Sequence, residues 1–381
     1  MSPPAPSDSS IPDMTTSTKA MMAKVKQLVP PMLEKFHKGQ LGRVAVIGGS
    51  AEYTGAPYFS AMASARLGRC LLKCLFSGMS ADIDQDVILF VLHLCAENHS
   101  AGSLSTLTFQ SYVICEPSAS QTIKSYSPNL MVSPLLRSTK SLATSHFDPS
   151  IEEMTSPILA LLPRLHVLVI GLGLGRDDIT LKQVAAIIKA ARSQDPPVPL
   201  VLDADGLFLI NSDPDLIKGY KECILTPNVI EFARIAKGMG VNLDEGDRNK
   251  DCENLAKALG GVCIIQKGKV DHISTGEGTT TCDFEGGLKR SGGQGDTLTG
   301  SLGTFLAWRQ AYHEGLWESA NKMSREETLL AAAFAGSAIT RECSRKAFKK
   351  NGRSLQASDL TDEVHGSFLS LIGEPEGDSK L

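Results

Sequence analysis

The chain has 381 residues, a formal net charge of −4 and 42% hydrophobic residues, which is ordinary for a globular protein with a sizeable core. The small negative charge, without a dense block of Lys or Arg, argues against a nucleic-acid partner. No apolar run is long enough to span a bilayer, and the nine scattered cysteines lack paired metal-ligand spacing, which is typical of a reducing compartment. We therefore expect a cytoplasmic protein with no membrane partner.

The two ends of the chain are polar. The first 18 residues are rich in Ser, Pro and Thr, and they lack both the apolar segment of a signal peptide and the Arg-rich pattern of a transit peptide. We expect a disordered tail over residues 1–20, a second one over residues 373–381, and a single folded domain over residues 21–372.

From residue 43 onward, apolar strand-like runs alternate with helical patterns. The predicted strands are Arg43–Gly48, Val113–Glu116, Val167–Gly171, Val198–Leu202, Cys223–Leu225, Val262–Gln266 and an antiparallel pair, Val270–Ser274 and Thr279–Asp283. The predicted helices cover about residues 56–67, 179–193, 228–237, 250–259, 296–308, 325–346 and 358–370. This alternation predicts an α/β fold with a mainly parallel sheet between helix layers, in which ligands bind beyond the carboxyl ends of the strands.

The segment Ser291–Gly300 (SGGQGDTLTG) carries the strongest functional signal. Its glycines let the backbone approach a ligand and point several N–H groups at one place, and the following helix adds the positive end of its dipole, which suits phosphate. Asp296, in the first helical turn, can act as a general base that aims a hydroxyl at that phosphate. An ordinary helix N-terminus with a first-turn aspartate would show the same pattern.

Other glycine-rich or basic segments follow predicted strands and should meet this loop at one edge of the sheet. Gly48–Tyr58 and Gly171–Arg176 are glycine-rich turns, although the second lacks the last glycine of a dinucleotide-binding fingerprint. Lys267 and Gly268 offer an ammonium group and a bare backbone to a phosphate. Each of these segments also has a simpler interpretation, as a tight turn or as a solvated lysine.

Two further polar groups follow strands. Asn228, Glu231 and Arg234 lie on one side of a first helical turn, where Asn228 and Glu231 also fit a capping box. Asp203 and Asp205 either hold Mg²⁺ through water or cap the next helix, and we favour the cap.

Together these segments resemble one family. The residues that carry the resemblance are VIGGSAEYTGAPYFSAMASARLG (Val46–Gly68), GLGLGRD (Gly171–Asp177), TPNVIEFARI (Thr226–Ile235), KGKVD (Lys267–Asp271) and GGQGDTLTG (Gly292–Gly300). On these residues the chain resembles the ATP-dependent (S)-NAD(P)H-hydrate dehydratases of the ribokinase-like superfamily, and it is similar to a eukaryotic, fungal member. The YTGAP and TPN-x-x-EF-x-R motifs separate this family from sugar, thiazole and hydroxymethylpyrimidine kinases, which share only the glycine–aspartate loop.

The resemblance implies a fold, a reaction and partners. The fold would be a ribokinase-like three-layer α/β/α sandwich in one domain, with a mainly parallel central sheet and no separate lid. The enzyme would transfer a phosphoryl group from ATP to the added hydroxyl of NADHX or NADPHX, the hydrates of NADH and NADPH, and loss of phosphate would restore the cofactor. Mg²⁺ is expected on the phosphates of ATP rather than on dedicated protein ligands. A homo-oligomer, with an NAD(P)H-hydrate epimerase as functional companion, is also implied.

The resemblance further implies roles for individual residues. Asp296 would be the catalytic base, and the amides of Gly293 to Gly295 would stabilise charge on the transferring phosphoryl group. The implied hydrate-binding residues are Gly173, Asn228, Val229, Ile230, Glu231, Phe232, Ala233, Arg234 and Asp296. The implied ATP-binding residues are Lys267, Gly268, Lys269, Val270, Asp271, Gly286, Gly287, Leu288, Lys289, Arg290, Ser291, Gly292, Gly293, Gln294 and Gly295.

The chain departs from the family pattern at two places. Leu172 stands between two glycines where the family usually has proline, so we expect a less rigid turn there but not loss of the site. The larger departure is an insertion over residues 69–112, where the family passes from helix to strand in a handful of residues. A connection of this length without a structure of its own is unusual within a βαβ unit.

Our hypothesis is that most of this insertion is a translated, unspliced intron. Phe109 and Gln110 are what a pyrimidine-rich acceptor site ending in CAG would encode, and family-like sequence resumes directly after them. The alternative is a lineage-specific surface loop, and a mature message that encodes Cys74–Thr108 would exclude the intron. An insertion beside the ligand-binding edge puts activity in doubt.

Two other functions stay open on the sequence alone. A small-molecule kinase of the same fold would leave the phosphate on its product. A catalytically dead nucleotide-binding protein, disabled by the insertion, is the other alternative, and the intact Asp296 argues against it.

Overall fold

A computed structural model describes residues 15–73, 109–143, 149–244, 246–289, 291–319 and 322–373, apart from residues 32, 34, 35 and 38. Residues 1–14, 74–108 and 374–381 lie outside the described residues, and with them most of the two predicted tails and of the predicted insertion.

All nine strands of the described residues belong to one sheet, in the order β3-β2-β1-β4-β5-β6-β7-β8-β9. The strands are β1 (Arg43–Ile47), β2 (Gln110–Ile114), β3 (Met131–Ser133), β4 (Val167–Ile170), β5 (Leu200–Leu202), β6 (Cys223–Leu225), β7 (Cys263–Gln266), β8 (Asp271–Ser274) and β9 (Thr279–Cys282). Strands β1 to β7 pair in parallel, and β8 and β9 extend one edge antiparallel. The predicted mainly parallel sheet, with its antiparallel pair, is confirmed.

Helices cover both faces of this sheet. In the described residues they are α1 (Thr16–Leu28), α2 (Gly55–Lys73), α3 (Pro117–Tyr126), α4 (Thr139–Ala143), α5 (Ile151–Leu159), α6 (Asp178–Arg192), α7 (Asp205–Ser212), α8 (Val229–Gly238), α9 (Arg248–Ala258), α10 (Gln294–His313), α11 (Arg325–Asn351), α12 (Ala357–Asp362) and α13 (Val364–Ile372). Every predicted helix is present, but the last one is split in two at Glu363. None of the described helices is long and apolar enough to cross a bilayer.

The alternation of side chains along the strands divides the core into two parts. Val44 and Val46 of β1 join one apolar cluster, whereas Ala45 and Ile47 point into the other. The first cluster includes buried residues of α1, α2, α10, α11 and α13, and the second those of α5 to α9. The described chain is therefore a three-layer α/β/α unit, as the resemblance implied.

Helix α10 lies in the middle of its layer and is buried on almost all sides, with Trp308 0% exposed. It packs closely on α2 because Gly300 has no side chain, and a Cβ there would overlap the carbonyl oxygen of Ser60. Ser60 Oγ also lies 3.0 Å from Thr299 Oγ1 across the same contact. This contact of Ser60 with Thr299 and Gly300, the seam between α2 and α10, fixes where α10 begins and therefore where Asp296 lies.

Helix α1 begins inside the segment that we expected to be a disordered tail. Thr15 caps it, with Thr15 Oγ1 accepting from the amide of Thr18 at 3.2 Å, and Met22, Val25 and Leu28 are buried against the core. The boundary predicted at residue 20 is therefore wrong. The prediction gave more weight to the polar composition of this segment than to the spacing of its apolar residues, which lie three apart as on one face of an amphipathic helix.

The ends of the predicted insertion belong to the fold. Helix α2 continues to Lys73 and β2 begins at Gln110, so the interruption is confined to residues 74–108. Phe109 is 4% exposed and packs on Gly42 and Gly68, where any Cβ would overlap its ring. Gly68, five residues before the end of α2, is thus in contact with Phe109, the first described residue after position 73.

Candidate active site

The segments singled out in the sequence meet at one edge of the sheet, as predicted. They are Gly48–Gly49 after β1, Gly171–Gly175 after β4, Asp203–Asp205 after β5, Thr226–Asn228 after β6 and Lys267–Gly268 after β7. In the sheet β1 lies between β2 and β4, so the strand order reverses there. Ligand sites of open α/β sheets lie at such a switch point, beyond the carboxyl ends of the strands.

The two glycine-rich turns are locked together. The amide of Gly49 donates to the carbonyl oxygens of Leu172 and Gly173, both at 3.1 Å. Gly171 has a φ of +117°, and a Cβ there would overlap the backbone of Asp203. Leu172 is 2% exposed and packs in the core. These contacts hold the turn in which leucine replaces the family's proline.

Three charged side chains converge at the start of α10. Asp296 is 8% exposed in the first helical turn. Lys267 Nζ donates to Asp203 Oδ1 at 2.8 Å. A Cβ on Gly295 would lie 3.1 Å from Asp203 Oδ2 and 3.6 Å from Lys267 Nζ, so only glycine leaves the space between the pair and the helix open. The cluster therefore faces the backbone amides at which α10 begins.

The electrostatics of this cluster suit proton transfer near neutral pH. Burial and, to a smaller extent, the Asp203 carboxylate together raise the pKa of Asp296 to about 7, against the opposing effect of the Lys267 ammonium group. Burial disfavours the charge of Lys267, but the Asp203 carboxylate outweighs burial and the pKa of Lys267 is raised overall. At neutral pH Lys267 is thus a cation, and Asp296 is a carboxylate close to its midpoint of titration.

Asp203 lies in the candidate site, although the sequence pattern favoured a helix cap at this position. The cap of α7 is Ala204, with no side-chain hydrogen bond, and Asp203 pairs with Lys267 instead. Ala204 has a φ of +48°, a sparsely populated conformation for a residue with a side chain, directly beside the cluster. The sequence showed only that Asp203 and Lys267 each directly follow a parallel strand, which places them at the same edge of the sheet but does not pair them.

The second aspartate of this segment has a different partner. Asp205 Oδ2 accepts from the amide of Gly175 at 3.0 Å, and Asp205 Oδ1 lies 3.4 Å from Arg176 Nε. Asp205 therefore anchors the glycine-rich turn after β4 and does not cap α7.

Arg341 of α11 holds the predicted ATP-binding loop from behind. Its guanidinium donates to Asp271 Oδ2 at 3.0 Å and Oδ1 at 2.7 Å. It also donates to the carbonyl oxygens of Gly268 (2.9 Å), Lys269 (2.8 Å) and Phe284 (3.0 Å). All five N–H groups of the arginine are used. No local pattern could have revealed this residue, since it lies mid-helix and far along the chain from the loop.

The other predicted ATP-binding stretch, residues 286–295, runs along α11 to the start of α10. The amide of Gly287 donates to Ser344 Oγ at 3.1 Å, and Gln294 Nε2 donates to the carbonyl oxygen of Lys289 at 3.0 Å. Leu288 is 89% exposed. Arg290 lies outside the described residues. The stretch is therefore anchored at both ends, with an exposed apolar side chain between them.

The start of α8 is built around the predicted capping box, which is confirmed. Asn228 Oδ1 accepts from the amides of Ile230 and Glu231, both at 2.9 Å, and Glu231 Oε2 accepts from the amide of Asn228 at 2.8 Å. The amide of Lys267 donates to the carbonyl oxygen of Pro227 at 2.8 Å. This bond ties the helix start to the lysine of the charged cluster.

The remaining predicted hydrate-binding residues differ in exposure. Ile230 is 71% exposed, and Val229, Ala233 and Arg234 are also exposed. Phe232 is 1% exposed and points into the core, so its side chain supports the helix and does not line the site.

Gly173 lies beside the YTGAP segment, on the other side of the site from α8. Its φ is +59°, and a Cβ there would lie 2.7 Å from Tyr53 Cβ. Tyr53 itself is 58% exposed. A side chain on Gly173 would therefore both strain the turn and displace an exposed aromatic residue.

The fold and the buried carboxylate at a glycine-rich helix start define an α/β protein of the ribokinase-like class with a candidate phosphoryl-transfer site. Residues 100–365 match the family model described as NAD(P)H-hydrate dehydratase. The chain is 53% identical to the ATP-dependent (S)-NAD(P)H-hydrate dehydratase of Emericella nidulans, over 96% of each chain. The chain belongs to the NAD(P)H-hydrate dehydratase family.

Solved structures share the fold at low identity. A ribokinase-like superfamily protein from Enterococcus faecalis matches with a TM-score of 0.61 and 15% identity, over 92% of this chain and 95% of the other. The ADP/ATP-dependent NAD(P)H-hydrate dehydratase from Bacillus subtilis, co-crystallised with ATP/Mg²⁺, matches with a TM-score of 0.56 and 18% identity, over 92% and 97%. The ribokinase-like fold expected from the sequence is confirmed.

Proposed function

We propose that this chain catalyses the ATP-dependent dehydration of (S)-NADHX and (S)-NADPHX to NADH and NADPH. The observation that carries the proposal is Asp296, a buried carboxylate with a pKa of about 7 at the N-terminus of α10, beside the Asp203–Lys267 pair. A base of this kind is suited to a hydroxyl that must lose its proton as it attacks a phosphoryl group. Membership of the family supports the same reaction.

The proposed reaction has two steps. Asp296 accepts the proton of the added hydroxyl while that oxygen bonds to the γ-phosphorus of ATP and ADP leaves. Departure of phosphate, with loss of a ring proton, then restores the dihydronicotinamide. The first amides of a helix have no partner within it, so those of Gly293 to Gly295 are suited to the charge on the transferring group. Lys267 adds a fixed positive charge.

The proposed cofactor is Mg²⁺ carried by ATP. No group of three or more potential His, Cys, Asp or Glu ligands occurs among the described residues. Asp203 Oδ1 is engaged by Lys267 and by the amide of Ala204. Asp203 Oδ2 is the carboxylate oxygen that fits a hard cation bound to the phosphates, and the ion would neutralise charge on the transferring group.

The test is an assay with hydrated NADH, ATP and Mg²⁺ that follows the absorbance of the restored dihydronicotinamide together with ADP and free phosphate. Recovery that requires ATP, with one ADP and one phosphate per turnover, would support the proposal. Phosphate that stays on the product would indicate a small-molecule kinase. A folded protein that binds ATP but gives no recovery would indicate a catalytically dead member.

The rate should depend on pH through Asp296. Because only the ionised carboxylate accepts a proton, and its pKa is raised to about 7 by burial and Asp203, kcat/KM for the hydrate should rise with pH and level off above about 7. Asp203→Asn removes one negative neighbour, so it should move the midpoint to lower pH. The measurement is the initial rate at saturating MgATP. A profile that is flat between about pH 5 and 8 would contradict this assignment.

We also propose that residues 74–108 are dispensable, whatever their origin. Since Gly68 and Phe109 are in contact, a variant that joins Lys73 to Phe109 through about four Gly/Ser residues should fold with a similar melting temperature and at least equal activity. A matched variant that replaces the segment with a Gly/Ser linker of equal length separates the effect of sequence from that of length. Failure of both variants to fold would show that the segment is part of the core.

The remaining proposals concern assembly and location. We propose a homo-oligomer in the cytoplasm, with an NAD(P)H-hydrate epimerase that converts the other hydrate form into the S form. Six free cysteines of the described residues are buried and unpaired, which suits a reducing compartment: Cys115, Cys223, Cys252, Cys263, Cys282 and Cys343. Light scattering of the purified protein would give its oligomeric state.

A further inference from the structure

Three tyrosines surround the YTGAP segment at the rim of the site, and the proposed reaction uses none of them. They are Tyr53 before α2, Tyr58 in the first turn of α2, and Tyr126 at the end of α3. Tyr53 is 58% exposed and Tyr126 is 44% exposed. We infer that this tyrosine patch binds the adenine ring of the dinucleotide hydrate, with the ring of Tyr53 stacked on it. The inference rests on the proposed function and adds a subsite to it.

Tyr126 is held in place from two sides. Its hydroxyl oxygen lies 2.9 Å from Thr54 Oγ1, and its ring centre lies 5.1 Å from that of Tyr58. Tyr58 is in turn supported by Phe59, whose ring centre lies 5.3 Å away in an edge-to-face arrangement. Since Thr54 directly follows Tyr53, its hydrogen bond also ties Tyr126 to the loop that carries Tyr53. A wall that is ordered before the ligand arrives reduces the entropy cost of binding.

The backbone of Tyr53 is fixed, whereas its ring is available. The amide of Tyr53 donates to the carbonyl oxygen of Ser50 at 3.2 Å, and the amide of Ser50 donates to that of Tyr53 at the same distance. Within the described part of the chain, the side chain of Tyr53 makes no hydrogen bond and no ring contact. A fixed loop that presents an exposed aromatic ring beside a ligand site favours a planar ligand.

The patch adjoins the charged cluster through the glycine-rich turn after β4. A Cβ on Gly173 would lie 2.7 Å from Tyr53 Cβ, and a Cβ on Gly171 would overlap the carbonyl oxygen of Asp203. The turn therefore packs on Tyr53 at one end and on the cluster at the other. A dinucleotide that places its reacting ring at Asp296 can follow this turn outward, so that its far end reaches the patch.

The chemistry of the substrate selects adenine as the ring that stacks. The hydrated nicotinamide ring contains several tetrahedral carbons and is not flat, so adenine is the aromatic ring of NADHX and NADPHX. Stacking on an aromatic side chain needs a flat π-face. The YTGAP motif also separates this family from sugar, thiazole and hydroxymethylpyrimidine kinases, whose substrates contain no adenine.

The adenine of ATP is expected elsewhere. The proposed ATP-binding loop Lys267–Asp271 follows β7, which is separated from β1 in the sheet by β4, β5 and β6. The tyrosine patch follows β1 and β2, on the other side of the charged cluster. The two adenine rings of the reaction would thus have separate places.

The test compares two substrates that differ in adenine. NADHX contains it, whereas the hydrate of reduced nicotinamide mononucleotide keeps the reacting ring and one phosphate but lacks the adenosine half. The variant is Tyr53→Leu, which removes the aromatic ring and keeps an apolar side chain. Tyr53→Phe, which keeps the ring and removes the hydroxyl, is the matched control. Because Tyr53 is exposed, both variants should keep the melting temperature of the wild type.

For Tyr53→Leu, we expect kcat/KM for NADHX to fall about 5- to 100-fold through a higher KM. For the mononucleotide hydrate, kcat/KM should not change, and neither should KM for ATP. Tyr53→Phe should stay near the wild type with both substrates. An equal fall for both hydrates, no fall for NADHX, or an effect confined to KM for ATP would overturn the inference.

The rival occupant of the patch is a second copy of the chain. Sedimentation velocity of the wild type and of Tyr53→Leu tests this alternative. If the variant dissociated an oligomer and left kcat/KM for NADHX unchanged, the patch would be a contact between copies, and the inference would be overturned.

The result can be separated from that of the proposed function. Wild-type turnover tests the reaction, and the difference between the two hydrates tests the patch. If the wild type does not turn over, calorimetric titration with NADHX compares the same variants without catalysis. Equal affinity of the wild type and Tyr53→Leu for NADHX would then overturn the inference.

Discussion

Asp296→Asn is expected to lower kcat by a factor of about 10² to 10⁴. The amide has nearly the shape of the carboxylic acid but cannot accept the proton of the attacking hydroxyl. Since Asp296 is 8% exposed and its pKa is raised to about 7 by burial and Asp203, the neutral amide should be tolerated without loss of stability. The measurement is the rate of ATP-dependent NADH recovery, together with the melting temperature.

The control for this substitution is Asp178→Asn, a first-turn aspartate of α6 that is exposed. It should leave kcat unchanged. KM for the hydrate and affinity for ATP should also change little in the Asp296 variant, because the proposed loss lies in the transferring step. If Asp296→Asn turned over at a rate near that of the wild type, Asp296 would not be the catalytic base.

Arg341→Met is expected to cost about 3 to 5 kcal/mol of unfolding free energy. It leaves the Asp271 carboxylate, which is 7% exposed, without its cation. It also removes the donor to the carbonyl oxygens of Gly268 and Lys269, in the proposed ATP-binding loop, and of Phe284. Because these bonds shape the loop Lys267–Asp271, KM for ATP should rise more than KM for the hydrate. Denaturant unfolding and steady-state kinetics measure the two effects.

Two further substitutions, Arg341→Lys and Lys24→Met, serve as comparisons for Arg341→Met. Arg341→Lys should rescue little, because an ammonium group has three donors where the guanidinium uses five. Lys24→Met removes a half-exposed ion pair, in which Lys24 Nζ of α1 lies 2.8 Å from Glu327 Oε1 of α11. This substitution should lower the free energy of unfolding by less than about 1 kcal/mol. If Arg341→Met and Lys24→Met were equally mild, Arg341 would not hold the loop.

The sequence predicted the parts of the site that depend on local pattern. Most ligand-facing segments follow a parallel strand, and parallel strands bring their carboxyl ends to one edge of the sheet. A correct assignment of the strands therefore placed Lys267 at the edge where the loop before Asp296 was expected. Helix α1 was missed because its polar composition outweighed the apolar spacing of Met22, Val25 and Leu28. The break of the last helix at Glu363 was missed because nothing local forbids a continuous helix there.

The parts that the sequence did not reveal depend on distant contacts. Asp203 looked like a helix cap, and only its pairing with Lys267, 64 residues further along the chain, makes it part of the site. Arg341 reaches Asp271 across 70 residues, from the middle of a helix. A single sequence holds no direct information about such pairs, because the sheet and not the local pattern brings them together.

The seam between α2 and α10 has a consequence during synthesis. Ser60 and Thr299, which meet there, are 239 residues apart, so at about 5 to 20 residues per second a ribosome needs roughly 10 to 50 seconds to make the second after the first. For that time the nascent chain exposes the apolar face of the sheet that α10 will cover. Its yield in the cell should therefore depend on chaperones that bind the unfinished polypeptide, and a premature stop before α10 should give an aggregating fragment.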